Sequence, residues 1–161
     1  MGADLDLFLK IDGIEGESQD SKHKGELRIL SFSEDVHNDT SDAQRGDDAG
    51  ISTWRDAVFT MKMDKGYPKL FQACVTGEHV NKAVLTFRKA GKDQQEFLKI
   101  TFSDVLVSGC QTNGSTDSDP TPTVSFTFNF ARIEEEYKTQ KADGSLSGAI
   151  KYSYSIPKKG K

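Results

Sequence analysis

Cysteine, proline and tryptophan are scarce in this chain, with two, four and one of them in 161 residues. The cysteines, Cys74 and Cys110, lie in no CxxC or Cys/His ladder, so no soft-ligand metal centre is expected, and both read as buried or idle thiols. With no Pro-rich linker, repeat or low-complexity tract, a single domain over residues 1–161 is expected. No apolar run is long enough to span a bilayer. The segment Met1–Lys10 alternates acidic and apolar residues where a signal peptide has a basic start and an unbroken apolar stretch. The expectation is a chain that folds in the cytoplasm, inserts in no membrane, and can be exported only without a cleaved signal. Clustered basic charge is missing as well: the net charge is -4, and only the Lys158, Lys159, Lys161 tail is locally basic. Nucleic acid is therefore not an expected partner.

Catalytic patterns are equally sparse. There is no GxSxG elbow, HExxH pair or GxxxxGK[ST] loop. His23, His37 and His79 lie in polar stretches near turns and read as solvated loop histidines. Cys74 and His79 are five residues apart, which turns them away from a shared helical face. Asp39, Asp42, Asp47 and Asp48 do not follow the DxDxDG order that wraps oxygens around calcium. No catalytic residue, metal or cofactor is expected, and the chain does not read as an enzyme.

What the sequence has instead is alternation of period two. Val124, Phe126, Phe128 and Phe130 alternate with Ser125, Thr127 and Asn129. The same pattern recurs at Ala83, Leu85, Phe87 and at Ile150, Tyr152, Tyr154, Ile156. Further strands are expected at Leu5–Ile11, Glu26–Phe32, Trp54–Met63 and Glu96–Val107. In the last of these, Leu98, Ile100 and Phe102 share one parity and Val105 and Val107 the other, which predicts a bulge or bend near Ser103 and Asp104. Turn clusters at Asp12-Gly13, Gly91-Lys92-Asp93, Asn113-Gly114-Ser115 and Asp143-Gly144-Ser145 separate the strands, as in a sandwich or barrel. One short helix is expected at Tyr67–Thr76, with Pro68 in its first turn, Gly77 as its stop, and an apolar stripe of Leu70, Phe71, Cys74 and Val75.

The stretch Glu34–Gly50 holds five aspartates and only Val36 and two alanines as apolar material, so it cannot bury itself. A long polar loop in a compact domain is a candidate binding element. Glu34, Asp35, His37, Asp39, Asp42, Arg45, Asp47 and Asp48 are its candidate contact residues.

Several ordered blocks form a family pattern: LFLKIDGIEGES, HKGELRILSFS, FTMKMDKGYPKLFQACVTGEH, LTFRKAG, EFLKITFSDVLVSG and FNFARIEEEYKTQKADGSLSGAIKYSYSI. Together they resemble the hemolysin-coregulated protein (Hcp) family of type VI secretion, over most of the chain. The resemblance implies a mostly β fold: a compact two-sheet β-barrel with one short flanking α-helix and a long extended loop. It implies homohexameric rings stacked into a hollow tube, with a spike protein, a contractile sheath and small effectors as further partners. It also implies that the loop matching Glu34–Gly50 reaches toward the neighbouring ring, and that the polar strand face of Ser125, Thr127 and Asn129 lines the lumen or meets the next subunit. The chain departs from the family where many members have tryptophan and glycine-rich sequence after LSFS: here Glu34-Asp35-Val36-His37 follow, and Trp54 comes only after the loop. Members also often carry tryptophan near the position of Tyr154. The alternative reading is a monomeric β-barrel that binds other proteins without assembling into a tube.

Overall fold

The computed structural model has the strands β1 (Leu5–Ile11), β2 (Leu27–Ile29), β3 (Ser31–Ser33), β4 (Val36–Asp39), β5 (Ile51–Trp54), β6 (Ala57–Lys62), β7 (His79–Lys89), β8 (Glu96–Asn113), β9 (Thr123–Tyr137) and β10 (Ile150–Ser155), with the helix α1 (Tyr67–Thr76). Eight of these strands form one antiparallel sheet in the order β2-β1-β7-β8-β9-β6-β3, with β10 added beside β9. The structure describes residues 5–39, 51–91, 93–117 and 120–157. Strands β4 and β5 pair with each other as a separate hairpin.

The sheet closes on itself through the segment from Leu27 to Ser33. Strand β2 pairs with β1, then the chain turns at Leu30, whose N–H donates to Thr60 O at 2.7 Å, and β3 pairs with β6. One short piece of chain thus joins both ends of the sheet, which removes the edges that such strands would expose. Closure shows in ring contacts between strands far apart in the sheet order: Phe32 on β3 meets Phe87 on β7 edge-on at 6.0 Å and Phe102 on β8 at 6.3 Å. The expected barrel with one flanking helix is the observed architecture.

The parity change in β8 has counterparts in both neighbouring strands. Inward positions run Val80 then Ala83 on β7, Phe102 then Val105 on β8, and Phe130 then Ile133 on β9. These residues are cross-strand partners, so one crease runs across three strands at the same level. Asp104 sits in the crease with φ 52. The bend expected near Ser103 and Asp104 is therefore present, and the ladder's register shift falls further on, between Val107 and Gly109.

Phe59, Phe102, Phe126 and Phe128 fill the centre, with Phe59 stacked on Phe126 at 4.9 Å. Burying each such ring contributes roughly 1.5–3 kcal/mol, against about 0–1 kcal/mol for an exposed ion pair. The core, and not the charged surface, therefore carries the fold. The helix keeps the bounds that its sequence predicts, and Gly77 ends it in the left-handed region, φ 72, donating its N–H to Ala73 O.

Four expectations about strands and helix need correction. The strand expected at Glu26–Phe32 breaks at Leu30, because its two halves serve opposite ends of the sheet. The strand expected at Trp54–Met63 is two, split at Arg55-Asp56, where the hairpin hands over to the barrel. The helical stripe divides: Leu70 and Ala73 are buried, while Phe71 and Val75 lie outward, Val75 at 72% exposure. The alternating face of β10 is covered only at its end, since Ile150 and Tyr152 are exposed and Tyr154 and Ile156 half-buried.

Candidate assembly surface

Strand β9 places Val124, Phe126 and Phe128 inward and therefore Ser125, Thr127 and Asn129 outward. Ladder register extends this outward face sideways. Ser31, Thr60, Ser125 and Gln111 lie in one row across β3, β6, β9 and β8, and Ser33, Val58, Thr127 and Gly109 in the next. Ser31 Oγ and Thr60 Oγ1 are 2.5 Å apart. These two rows contain no charged residue.

Thr127 and Asn129 are held by a network centred on Asp56. Its carboxylate accepts from Ser108 Oγ at 2.5 Å and from Asn129 Nδ2 at 3.1 Å, and Ser108 Oγ lies 2.7 Å from Thr127 Oγ1. A Cβ on Gly109 would stand 2.9 Å from Thr127 Oγ1, so a glycine lets the bulged strand pass this close. Sequence patterning finds the polar face but not Asp56, which comes from the corner between β5 and β6.

The other candidate site, the loop from Glu34 to Gly50, begins as a hairpin strand. Strands β4 and β5 set Val36 opposite Trp54 and His37 opposite Thr53. Asp35 fastens the hairpin base: its carboxylate takes Arg55 Nε at 2.9 Å, and its carbonyl accepts the Arg55 N–H at 3.0 Å. Trp54 stacks on Tyr154 and meets Phe130 edge-on. The two departures from the family pattern thus meet in space, with the late tryptophan packed on the tyrosine that stands near a usual tryptophan position. Asp39 ends β4, and Asp42, Arg45, Asp47 and Asp48 lie outside the described residues.

Glu34 sits behind this base, half-buried, with its Oε2 shut off from solvent and lacking a hydrogen-bond partner. Burial first, then the hydrogen bond with Glu135 and the Glu135 charge, push its carboxyl up to about 8. Two carboxyl groups held together in a dry place share a proton more readily than they hold two charges. Tyr152 stands directly opposite Glu135 in the β9–β10 ladder, and its phenol is pushed up by burial, then by the charges of Glu135, Tyr154 and Glu34. The proton on Glu34 thus answers to Glu135 on β9, outside the loop.

Sequence reasoning missed a further ordered cluster on the outside of β1 and β7. Arg88 is buried and donates twice to Asp20, at 2.9 Å from each nitrogen, and once to Asp6 at 3.0 Å. Its guanidinium lies 4.7 Å from the centroid of the Phe8 ring, and His23 stacks on that ring at 4.5 Å. His23 is no solvated loop histidine: it is 7% exposed and bonded to Glu26 at 3.0 Å and Glu96 at 2.8 Å. The Arg88 hydrogen bonds, working against burial, hold Asp20 down at about 2. These contacts clip the Glu15–Glu26 segment to the barrel. His79 is exposed and lies 2.6 Å from Asp104. Among the described residues, no group of three or more His, Cys, Asp or Glu could hold a metal ion, and no helix is long and apolar enough to cross a membrane.

Fold and surface together define a small antiparallel barrel whose ordered features lie on outward sheet faces and at a hairpin base. The chain belongs to the Hcp family of type VI secretion: residues 8–137 match the family described as "Type VI secretion system effector, Hcp". Protein hcp1 of Pseudomonas aeruginosa is 40% identical over 155 residues, covering 94% of this chain and 95% of that protein. Among solved structures, Hcp1 from Salmonella typhimurium has a TM-score of 0.77 at 32% identity, covering 96% of each chain. A structure described as a type six secretion system protein has a TM-score of 0.87 at 27% identity, covering 94% of this chain and 96% of its own. The family is one of secreted type VI proteins and not one of known enzymes.

Proposed function

We propose that this chain, acting as one barrel domain, is the repeating subunit of a type VI inner tube. Six copies close into a ring, and rings stack into a hollow tube that a contracting sheath ejects beneath a spike protein, with small effectors in its lumen. The observation that carries this reading is similarity to Hcp proteins along nearly the whole chain. The protein folds in the cytoplasm and leaves it without a cleaved signal peptide.

The physical logic is heterologous contact, in which two different surfaces of one subunit meet and the rotation between neighbours closes a ring. The polar face of Ser125, Thr127 and Asn129 supplies a lumen lining or a subunit contact, with the Asp56 carboxylate at its Asn129 end already bonded to Ser108 and Asn129. Glu34, Asp35, His37, Asp39, Asp42, Arg45, Asp47 and Asp48 supply the contact between rings. Their acidic excess calls for a basic surface on the next ring, or for salt to screen repulsion.

Native mass spectrometry and electron micrographs of the purified protein test this. Hexamers and stacked rings are expected, and a persistent monomer at high concentration favours the monomeric binding module. Deleting Asp39 to Asp48 should leave hexamers intact and shorten the stacks. Loss of the hexamer itself would assign the loop to ring closure instead.

A further inference from the structure

Cys74 on α1 and Cys110 on β8 are both free and both half-buried. The helix lies along β8, fixed at its start by the hydrogen bond that Thr112 Oγ1 donates to Tyr67 Oη at 2.6 Å. Cys74 comes one turn after the fully buried Leu70 and shares its inward face. Cys110 owes its direction to the bulge: Val105 and Val107 point inward, so simple alternation would turn Gly109 in and Cys110 out. The register shift between Val107 and Gly109 reverses this and sets Cys110 opposite the buried Phe126, on the core side. Both cysteines pack against the edge of the core. The Cys110 thiol is pushed up by burial and then by the charge of Cys74, so the two sulfurs sense each other.

We propose that Cys74 and Cys110 form an intramolecular disulfide when the folded protein meets a low-molecular-weight disulfide of the oxidised-glutathione class, locking α1 onto β8. The Cys74 thiolate attacks one sulfur of the small disulfide, giving a mixed disulfide and releasing one small thiolate. Cys110 yields its proton to that thiolate, and its sulfur attacks Cys74 and expels the second small thiolate, which takes up the proton that Cys74 lost. Two protein thiols are oxidised to one disulfide, and the small disulfide is reduced to two thiols. For a secreted protein this is a lock that stands open in a reducing compartment and shuts outside it. It requires no ring and no tube, so it stands or falls apart from the assembly reading.

The test is incubation of the full folded chain with oxidised glutathione, followed by intact mass, peptide mapping and thermal melting. Expected are a mass lower by two hydrogens, a cross-linked peptide joining Cys74 to Cys110, and a Tm raised by roughly 5–10 °C, all reversed by dithiothreitol. Cys110→Ser and the apolar Cys110→Val should both lose the shift, and the second keeps the core side apolar should serine disturb folding. Free thiols after prolonged exposure of the folded protein, a stable glutathione adduct without the internal bond, or only intermolecular dimers would each overturn the proposal.

Discussion

The indole of Trp54 lies on the phenol ring of Tyr154, with centroids 5.5 Å apart and planes 16° from parallel. This contact joins the separately paired hairpin to the last strand of the barrel, and Phe130 backs it edge-on at 6.1 Å. Trp54→Ala removes both contacts from a half-buried site and should cost about 2–3 kcal/mol, somewhat less than a fully buried aromatic. Urea unfolding measures it, and a change under about 0.5 kcal/mol would mean that the hairpin is not held by this ring.

Arg88 bridges Asp20 and Asp6 in a nearly dry setting, and the exposed Arg28 reaches the other Asp6 oxygen at 3.7 Å. Arg88→Met strips Asp20 of its guanidinium and leaves it the Lys22 N–H, with Asp6 left only the exposed Arg28, a loss of about 3–5 kcal/mol by the usual cost of breaking a buried pair. The sign of the pH effect follows from Asp20, which titrates at about 2 when folded and at 3.8 as a free side chain. Its stabilisation is fully present above the free value and disappears as pH falls through about 2. Unfolding curves from pH 5 down to pH 2 should show this acid limb in the wild type and a flatter one in the variant.

For Glu34 the sign is opposite. Its carboxyl holds a proton up to about 8 in the folded chain and loses it near 4.5 when unfolded. Stability from this group is therefore greatest below 4.5 and declines as pH rises toward 8. Glu34→Gln mimics the protonated form, so at pH 8 it should exceed the wild type by at least about 1 kcal/mol, with near equality at pH 4. Identical pH profiles for the two proteins would exclude the shared proton with Glu135.

Two glycines give contrasting expectations. A Cβ on Gly16 would lie 2.6 Å from Glu26 O and 2.8 Å from Leu27 Cδ2, whereas one on Gly114 meets nothing within 4 Å. Gly16→Ala should cost about 1–3 kcal/mol by overpacking, and Gly114→Ala should stay within about 0.5 kcal/mol of the wild type. Paired thermal melts compare them directly.

Phe126 and Phe128 show why so much of the fold is legible in the chain. A strand with one dry face writes its period into the sequence, and Pro68 and Gly77 mark the helix by fixing φ at one end and permitting the left-handed turn at the other. The Trp54 and Leu30 boundaries were not legible, because a strand that changes partners keeps its local pattern through the change. Nor was the Arg88 cluster: Asp6, Asp20, His23 and Glu96 are brought together by pairing of distant strands, and no short spacing announces them. Of the candidate contact residues, Glu34 stands out in the sequence only as part of an acidic loop, whereas its hold on a proton comes from burial and then from Glu135, far along the chain.

By itself, the sequence determined the strand periodicity, the one helix, the turn positions, and the ordered blocks that carry the family resemblance, since these depend on neighbours within a few residues. Only the tertiary structure decided where the barrel closes, which strands crease together, that Trp54 packs on Tyr154, and that Cys110 turns inward toward the helix. Those outcomes depend on register, and one residue of slip in a ladder sends every following side chain to the other face.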